Sequence, residues 1–358
     1  MLKIAKFGGS SVRDAKAIKR CARILTLDPE IQVVVISATF NTSNELEQIA
    51  SLASRALGWE VALEQLISRH REIIHDLDCE EGEWFNSLDN ELWELGDLFR
   101  EEMKIDPARM DQFYSLGERL SSGIVAQYLS HSFLQRRVEY VDAREFIHTD
   151  NCYGLANPDR GMIAESAPLH MRLTSDSLFV TQGFIGSDAH GKTTTLGREG
   201  SDYSATLIGE ALNADLVQIW TDVPGIAAID PKRIPSAAFI KELDYSVAEE
   251  MARHGAKIIF SKTLEPVREK GIPVFIGSSL EPDAGGTLIK PGVFSDGFVG
   301  IAVIEKDGLF KTTVVGRFGD ELLKDFSSFI KSKRPLSTTL ELDLDNFNKL
   351  TQSLLPTR

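Results

Sequence analysis

The chain has 358 residues, 42% of them hydrophobic, and carries 39 Lys and Arg against 53 Asp and Glu for a formal net charge of −14. That length suits one large α/β domain with a small appendage, and such acidity lacks the electrostatic footprint of a nucleic-acid or anionic-membrane binder. Three cysteines at no metal-binding spacing, Cys21, Cys79 and Cys152, fit reduced thiols in a cytoplasmic protein, while the N-terminus is too short for a signal-peptide core and no apolar run reaches the ~20 residues that span a bilayer.

Leu2 to Phe7 predicts a short strand ended by Gly8-Gly9, with a helix from about Val12 to Leu27. The β-branched run Ile31 to Ile36 predicts a strand buried on both faces, as in a parallel sheet. Asn41 to Asn44 reads as a polar loop. From Glu45 to His131 the periodicity is helical, with breaks near Gly58, Gly82 and Pro107. Strands are predicted at Val138 to Val141 and Leu178 to Ile185, a helix at Ser201 to Leu212, and a buried strand at Leu216 to Trp220. Val223 to Leu243 is rich in Pro and Gly and reads as a hairpin or extended loop. Helices near Ser246 to His254 and up to Lys270 follow, then a strand at Ile272 to Ile276. Beyond Gly285 to Gly292 the pattern predicts a hairpin within Val299 to Val315, a helix from Asp320 to Lys331, a strand from Thr338 to Leu344 and a last helix. Strands alternating with helices predict a mainly parallel α/β sheet.

Four constellations carry chemistry. Lys6-Phe7-Gly8-Gly9-Ser10-Ser11 places a cation and a glycine turn at a strand end, where backbone N–H groups approach an anion; the same letters suit a tight strand-to-helix turn. Gly186 to Thr193 matches G-x-x-x-x-G-K-[ST] by letter. That motif needs a helix to begin at its Lys-Thr, whereas Thr193-Thr194-Thr195 are poor helix formers and two glycines soon follow, so a chance match or a convergent phosphate loop is the better account. Gly197-Arg198-Glu199-Gly200-Ser201-Asp202 supplies a guanidinium suited to a carboxylate and a capped helix start. Trp220-Thr221-Asp222-Val223-Pro224-Gly225, with Asp230-Pro231-Lys232, forms a polar turn at the C-terminal end of a buried strand, where open α/β sheets bind ligands.

Taken in order, KFGGSSV (6–12), SATFNTSN (37–44), LGERLSS (116–122), TQGFIGSDAHGKTTTLGREGSDYSA (181–205), WTDVPGI (220–226), DPKRIP (230–235), GAKII (255–259) and IPVFIGSS (272–279) make the chain resemble the aspartate kinases of the amino-acid-kinase superfamily. The resemblance implies a mainly parallel sheet sandwiched by helices over residues 1–290. Residues 291–358 would form a small C-terminal α+β appendage like a truncated ACT module, serving dimer formation or stability, in an enzyme insensitive to lysine. It implies transfer of a phosphoryl group from ATP, with Mg²⁺, to the side-chain carboxylate of L-aspartate, in a cytoplasmic homodimer that binds neither nucleic acid nor membrane.

Carried over residue by residue, the resemblance gives Lys6 the phosphates and the transferred charge, with Gly8, Gly9 and Ser10 as the accompanying turn. Ser43, Glu118, Arg198 and Ser201 would hold aspartate, Glu118 its ammonium and Arg198 its α-carboxylate. Asp202 would organise Lys6 and the phosphoryl centre, and Thr221, Asp222, Lys232 and Lys257 would line the nucleotide site. The acceptor is ionised at neutral pH, so no strong base is required, and His190 reads as incidental. The chain departs from the family where Glu199 replaces a usual Gly, Lys232 a common Arg and Phe260-Ser261 the usual His-Pro, and, more mildly, where Ser10 and Ser43 stand for Thr and keep the hydroxyl. Other acceptors of the superfamily (glutamate, acetylglutamate, carbamate or UMP), a P-loop NTPase and a non-catalytic sensor of the same fold are the alternatives.

Overall fold

The computed structural model describes residues 1–101, 105–132, 136–255, 261–293 and 297–355. The chain divides into two compact units, Met1–Asp222 with Ser279–Pro282, and Val223–Ser278 with Asp283–Arg358.

In the first unit the elements run β1 (Lys3–Phe7), α1 (Ala15–Leu27), β2 (Ile31–Ile36), α2 (Thr42–Ala53), α3 (Trp59–Asp76), α4 (Glu83–Glu101), α5 (Pro107–Ser132), β3 (Arg137–Val141), α6 (Arg160–His170), β4 (Ser177–Gln182), β5 (Ile185–Ser187), β6 (Thr193–Thr195), α7 (Gly200–Ala211) and β7 (Leu216–Thr221). Five of these strands form a parallel array in the order β3-β4-β2-β1-β7. Its centre is apolar because β1 and β2 are buried almost throughout, with Ile4, Ala5, Phe7 and Val33 to Ile36 inaccessible to solvent. The breaks near Gly58 and Gly82 fall between α2, α3 and α4, and Pro107 is the first residue of α5, as the sequence predicts.

Three local expectations change. The polar loop at 41–44 is almost wholly helix, because Asn41 takes a left-handed φ of 68° and Thr42 already opens α2. Arg69 fastens that first turn by reaching both Thr42 and the Glu45 carboxylate, at 2.9 and 2.6 Å. The strand expected to run to Ile185 stops at Gln182. Gly183 packs on Ser201 so closely that a Cβ would fall 2.5 Å from the serine Cβ, and Phe184 follows with φ of 71°. Helix α6 is absent from the sequence prediction because its apolar stripe is sparse: only Ile163 and Ala167 are buried.

The apparent P-loop is a β-hairpin. β5 and β6 pair antiparallel, Gly186 opposite Thr194. The turn between them is closed by the Asp188 carboxylate, which accepts from the backbone N–H groups of His190 and Lys192 at 2.9 Å each. A strand at Thr193–Thr195 cannot open the helix that a Walker loop requires.

The second unit contains β8 (Glu242–Leu243), α8 (Tyr245–Arg253), α9 (Ser261–Lys270), β9 (Val274–Ser278), β10 (Gly286–Ile289), β11 (Gly297–Lys306), β12 (Leu309–Arg317), β13 (Ile330–Arg334), β14 (Ser337–Leu342) and α10 (Leu344–Leu354). β10 pairs antiparallel with β9 and parallel with β8. β11 to β14 form a separate antiparallel sheet in the order β11-β12-β14-β13, whose core includes Ile301, Val314, Leu340, Phe347 and Leu350. The helix expected at 320–331 is a 3₁₀ segment, Asp320–Phe329, and its last residues are claimed by β13 pairing with β14. Residues 256–260, with most of the GAKII motif, lie outside the described residues.

Helices α3 and α4 meet where Gly96 lies flat against the ring of Trp59, so a Cβ at 96 would overlap the indole. Trp59 is 1% exposed and its ring cannot swing into solvent. Gly96→Ala is therefore expected to destabilise the protein by about 1–3 kcal/mol in urea unfolding, with an unchanged or higher stability showing that the two helices adjust freely.

Candidate active site

The parallel strands end along one edge, and the turns that leave them build a cleft of about 840 Å³. Gly8 is still extended, its N–H donating to the Trp220 carbonyl at 3.0 Å, and the chain turns at Gly9 into a short 3₁₀ segment, Gly9–Val12. Gly9 then passes the end of β2 so closely that a Cβ would lie 2.7 Å from the Ala38 carbonyl oxygen. No other residue keeps both backbones in place, so the turn presents main chain rather than side chain to the cleft. The Ser11 hydroxyl is buried and spent on Ser279 at 2.7 Å, leaving Ser10 as the hydroxyl that lines the cavity.

Lys6 lies on the cleft floor, its side chain 11% exposed, with Nζ 2.5 Å from Oδ1 of Asp202. Asp202 belongs to the first turn of α7, where a carboxylate is favoured by the helix dipole. The pair joins the central strand to the helix start and fixes the lysine ammonium beside the glycine turn.

Helix α5 supplies the opposite wall. Asp111, Tyr114 and Glu118 recur at i, i+3 and i+7 and share one face. Glu118 is 3% exposed, and its Oε1 accepts from the Ala38 N–H at 3.3 Å while Oε2 has no hydrogen-bond partner. Burial pushes its pKa up to about 8, against the smaller pulls of the Ala38 N–H and the Lys6 charge. A buried carboxyl with one unpaired oxygen, on a residue that lines the cavity, suits a cationic ligand, whose arrival would draw off the proton.

Arg198 sits on the turn between β6 and α7, its side chain 75% exposed and Nε 3.9 Å from Oε1 of Glu199. Glu199 itself is held at φ 54°, a left-handed position that favours glycine, and its side chain does not cap α7.

Lys6, Gly9, Ser10, Ser43, Glu118, Arg198, Ser201, Asp202 and Asp222 all line this one cleft. Gly8 stands immediately behind Lys6, and the Thr221 hydroxyl is bonded to Asp222 at 3.2 Å. Lys232 lies in the second unit, its N–H bonded to Asp230 at 2.9 Å. Lys257 lies outside the described residues. His190 is on the exposed hairpin turn and does not line the cleft.

Among the lining residues that the sequence left unassigned are Thr39, Tyr114 and Phe184. Thr39 is buried and bonds both Thr42 and His70, at 2.6 and 3.0 Å, which anchors the loop after β2; burial lowers the pKa of His70 to about 4, so the ring is neutral. Tyr114 and Phe184 meet edge to face across the cavity, centroids 6.5 Å apart. Tyr114 was detectable as the residue one helical turn before Glu118, whereas nothing local announces Phe184.

Two predictions rest on this geometry. Glu118 holds its proton to about pH 8, while in the unfolded chain it releases it near its ordinary value of 4.5, so the folded state binds the extra proton between those values and stability falls as pH rises through that window. Urea unfolding at pH 5 and pH 8 should show a larger loss for the wild type than for Glu118→Gln; equal losses would mean Glu118 is ionised throughout. Glu199→Gly should raise the unfolding free energy by about 0.5–1 kcal/mol, the relief of the left-handed residue exceeding the added freedom of the unfolded chain; a lower melting temperature would overturn this.

The amino acid kinase family model matches residues 1–278. Lysine-sensitive aspartokinase 3 of Escherichia coli is 38% identical over 293 residues, covering 80% of this chain and 63% of that protein. An aspartokinase of Chlamydia trachomatis is 32% identical over 287 residues, covering 80% and 64%. The chain thus spans a little under two thirds of the length of these curated relatives. The crystal structure of E. coli aspartokinase III in complex with aspartate and ADP (R-state) superposes with a TM-score of 0.86 at 27% identity, covering 99% of both chains. The complex of that enzyme with lysine and aspartate (T-state) gives 0.84 at the same identity and coverage. With the glycine turn, the lysine on the first strand and the family match running through the same residues, the chain belongs to the amino acid kinase family.

Proposed function

We propose that the protein is an aspartate kinase, transferring the γ-phosphoryl group of ATP to the side-chain carboxylate of L-aspartate and yielding 4-phospho-L-aspartate and ADP. The observation that carries this reading is one cleft holding two opposite kinds of binding group. At one end are a lysine and a side-chain-free turn suited to phosphate; at the other are a buried carboxyl and a guanidinium suited to an amino acid. The likeness to E. coli aspartokinase III, solved with aspartate and ADP, supports it.

In this reading Lys6 neutralises charge on the transferring group while Asp202 holds the ammonium in line. Backbone N–H groups of Gly9 and Ser10 receive phosphate oxygens, on a turn whose close pass by Ala38 only glycine at 9 permits. Glu118 receives the α-ammonium of aspartate, Arg198 its α-carboxylate, with Ser43 and Ser201 alongside. The acceptor oxygen is already an anion, so positioning and charge neutralisation carry the reaction and no base is needed. Thr221, Asp222, Lys232 and Lys257 are assigned to the nucleotide.

Among the described residues no group of three or more His, Cys, Asp or Glu side chains is arranged to hold a metal ion. In this reading Mg²⁺ is carried chiefly on the nucleotide's phosphates, where it would supply charge neutralisation. Among the described residues, too, no helix is long and apolar enough to cross a membrane. The reading takes residues 1–290 as the catalytic body, 291–358 as a small appendage, and the enzyme as a homodimer of the cytoplasm.

The test is aspartyl hydroxamate formation from MgATP, L-aspartate and hydroxylamine. Wild type and Lys192→Ala should form product, and Lys6→Ala should lose about 10²-fold or more in kcat. Product from another amino acid but not from aspartate would move the specificity. Loss with Lys192→Ala but not with Lys6→Ala would refute the mechanism.

A further inference from the structure

Helix α5 carries a second buried carboxylate, seven residues before Glu118. Asp111 is 1% exposed. Its Oδ2 accepts from the backbone N–H groups of Thr195 and Gly154, at 2.8 and 2.9 Å, and its Oδ1 accepts from the Thr195 hydroxyl at 2.8 Å. Burial pushes its pKa above the ordinary carboxylate range and these three donors pull it back.

The three donors belong to two segments that reach α5 from elsewhere in the chain. Thr195 ends β6, and Gly154 lies in the loop before α6. The two segments are joined by the Ala156 N–H donating to the Thr195 carbonyl at 2.9 Å. Two residues beyond Thr195, Gly197 takes φ 76° under Leu155, so close that a Cβ would lie 2.6 Å from the leucine Cδ1. Arg198 comes next. Gly154, Thr195 and Gly197 all line the cleft, whereas Asp111 stands behind them.

A carboxylate suits this place for a reason of chemistry. It accepts from all three donors and offers none of its own, whereas an asparagine would keep the two backbone bonds only by setting an amide N–H against the Thr195 hydroxyl, which must then turn and accept. The one clamp therefore sets the root of the turn that presents the guanidinium.

We infer that Asp111 is a positioning residue for acceptor binding, its carboxylate tying α5 to the 154 and 195–197 segments and so setting where Arg198 stands over the cleft. This rests on the aspartate-kinase reading, and the clamp itself is measurable apart from it.

The experiment compares wild type, Asp111→Asn and Thr195→Val by hydroxamate kinetics and by hydrogen exchange of the folded, full-length protein. Asp111→Asn should raise KM for aspartate about tenfold or more, with kcat and KM for ATP within about threefold. Thr195→Val, which removes only the hydroxyl donor, should move KM in the same direction by less. A merely structural role would lower kcat and thermal stability with KM for aspartate unchanged, and that result overturns the inference. If the wild type forms no hydroxamate from aspartate, the acceptor reading has failed and exchange alone decides. Faster exchange in Asp111→Asn confined to residues 150–157 and 193–200 upholds the clamp; exchange indistinguishable from wild type removes it.

Discussion

A lysine ammonium and an aspartate carboxylate, 2.5 Å apart and mostly withdrawn from water, hold the centre of this protein. Taking two charges out of water is costly, and the cost is tolerable only where each ion finds a close partner. Lys6 comes from the innermost part of the sheet and Asp202 from the first turn of α7, so the pair also fixes that helix to the strand. Around the pair the parallel register does the rest. β1 lies between β2 and β7, with Phe7 opposite both Ile36 and Trp220, and all three strands end at one level. The loops that follow them therefore open on the same cleft.

The chain as a whole is strongly acidic, yet the cleft is suited to anions at one end. The contrast shows that net charge describes long-range steering and solubility, while a binding site is decided within a few ångströms. At the glycine turn the donors are backbone N–H groups, which no charge count includes. At the other end the same cleft buries Glu118 so deeply that it resists ionisation. Two groups lining the cleft are thus treated in opposite ways: Lys6 is paired with Asp202, and Glu118 is buried with one oxygen unpaired.

The turn around Arg198 is the least conventional part of the cleft. Glu199 occupies a left-handed backbone position for which glycine is the ordinary choice, beside a guanidinium that is largely exposed. Below it the arrangement is tight: Gly197 under Leu155, Gly183 against Ser201, and Asp111 beneath Thr195. A strained, exposed tip thus stands on a closely bonded base.

Much of this was legible in the sequence, because much of it is local. The β-branched run at 31–36, the glycine turn after Phe7 and the breaks at Gly58, Gly82 and Pro107 each announce an element through nearest-neighbour sterics and periodicity. The weak helix-forming character of Thr193 to Thr195 sufficed to reject a Walker loop. Partnerships across the chain were beyond local reading. Glu118 accepts from an N–H 80 residues away, and Asp111 from one 84 residues away. Neither the spacing nor the character of α5 marks one acid as keeping an unpaired oxygen and the other as fully bonded. The sequence by itself determined the elements, the phosphate-suited turn and the family, since those depend on short-range conformational preferences and contiguous motifs. Only the tertiary structure decided which carboxylates are buried, which one keeps an unpaired oxygen and which atoms face the cleft, because burial and pairing are properties of packing between distant segments.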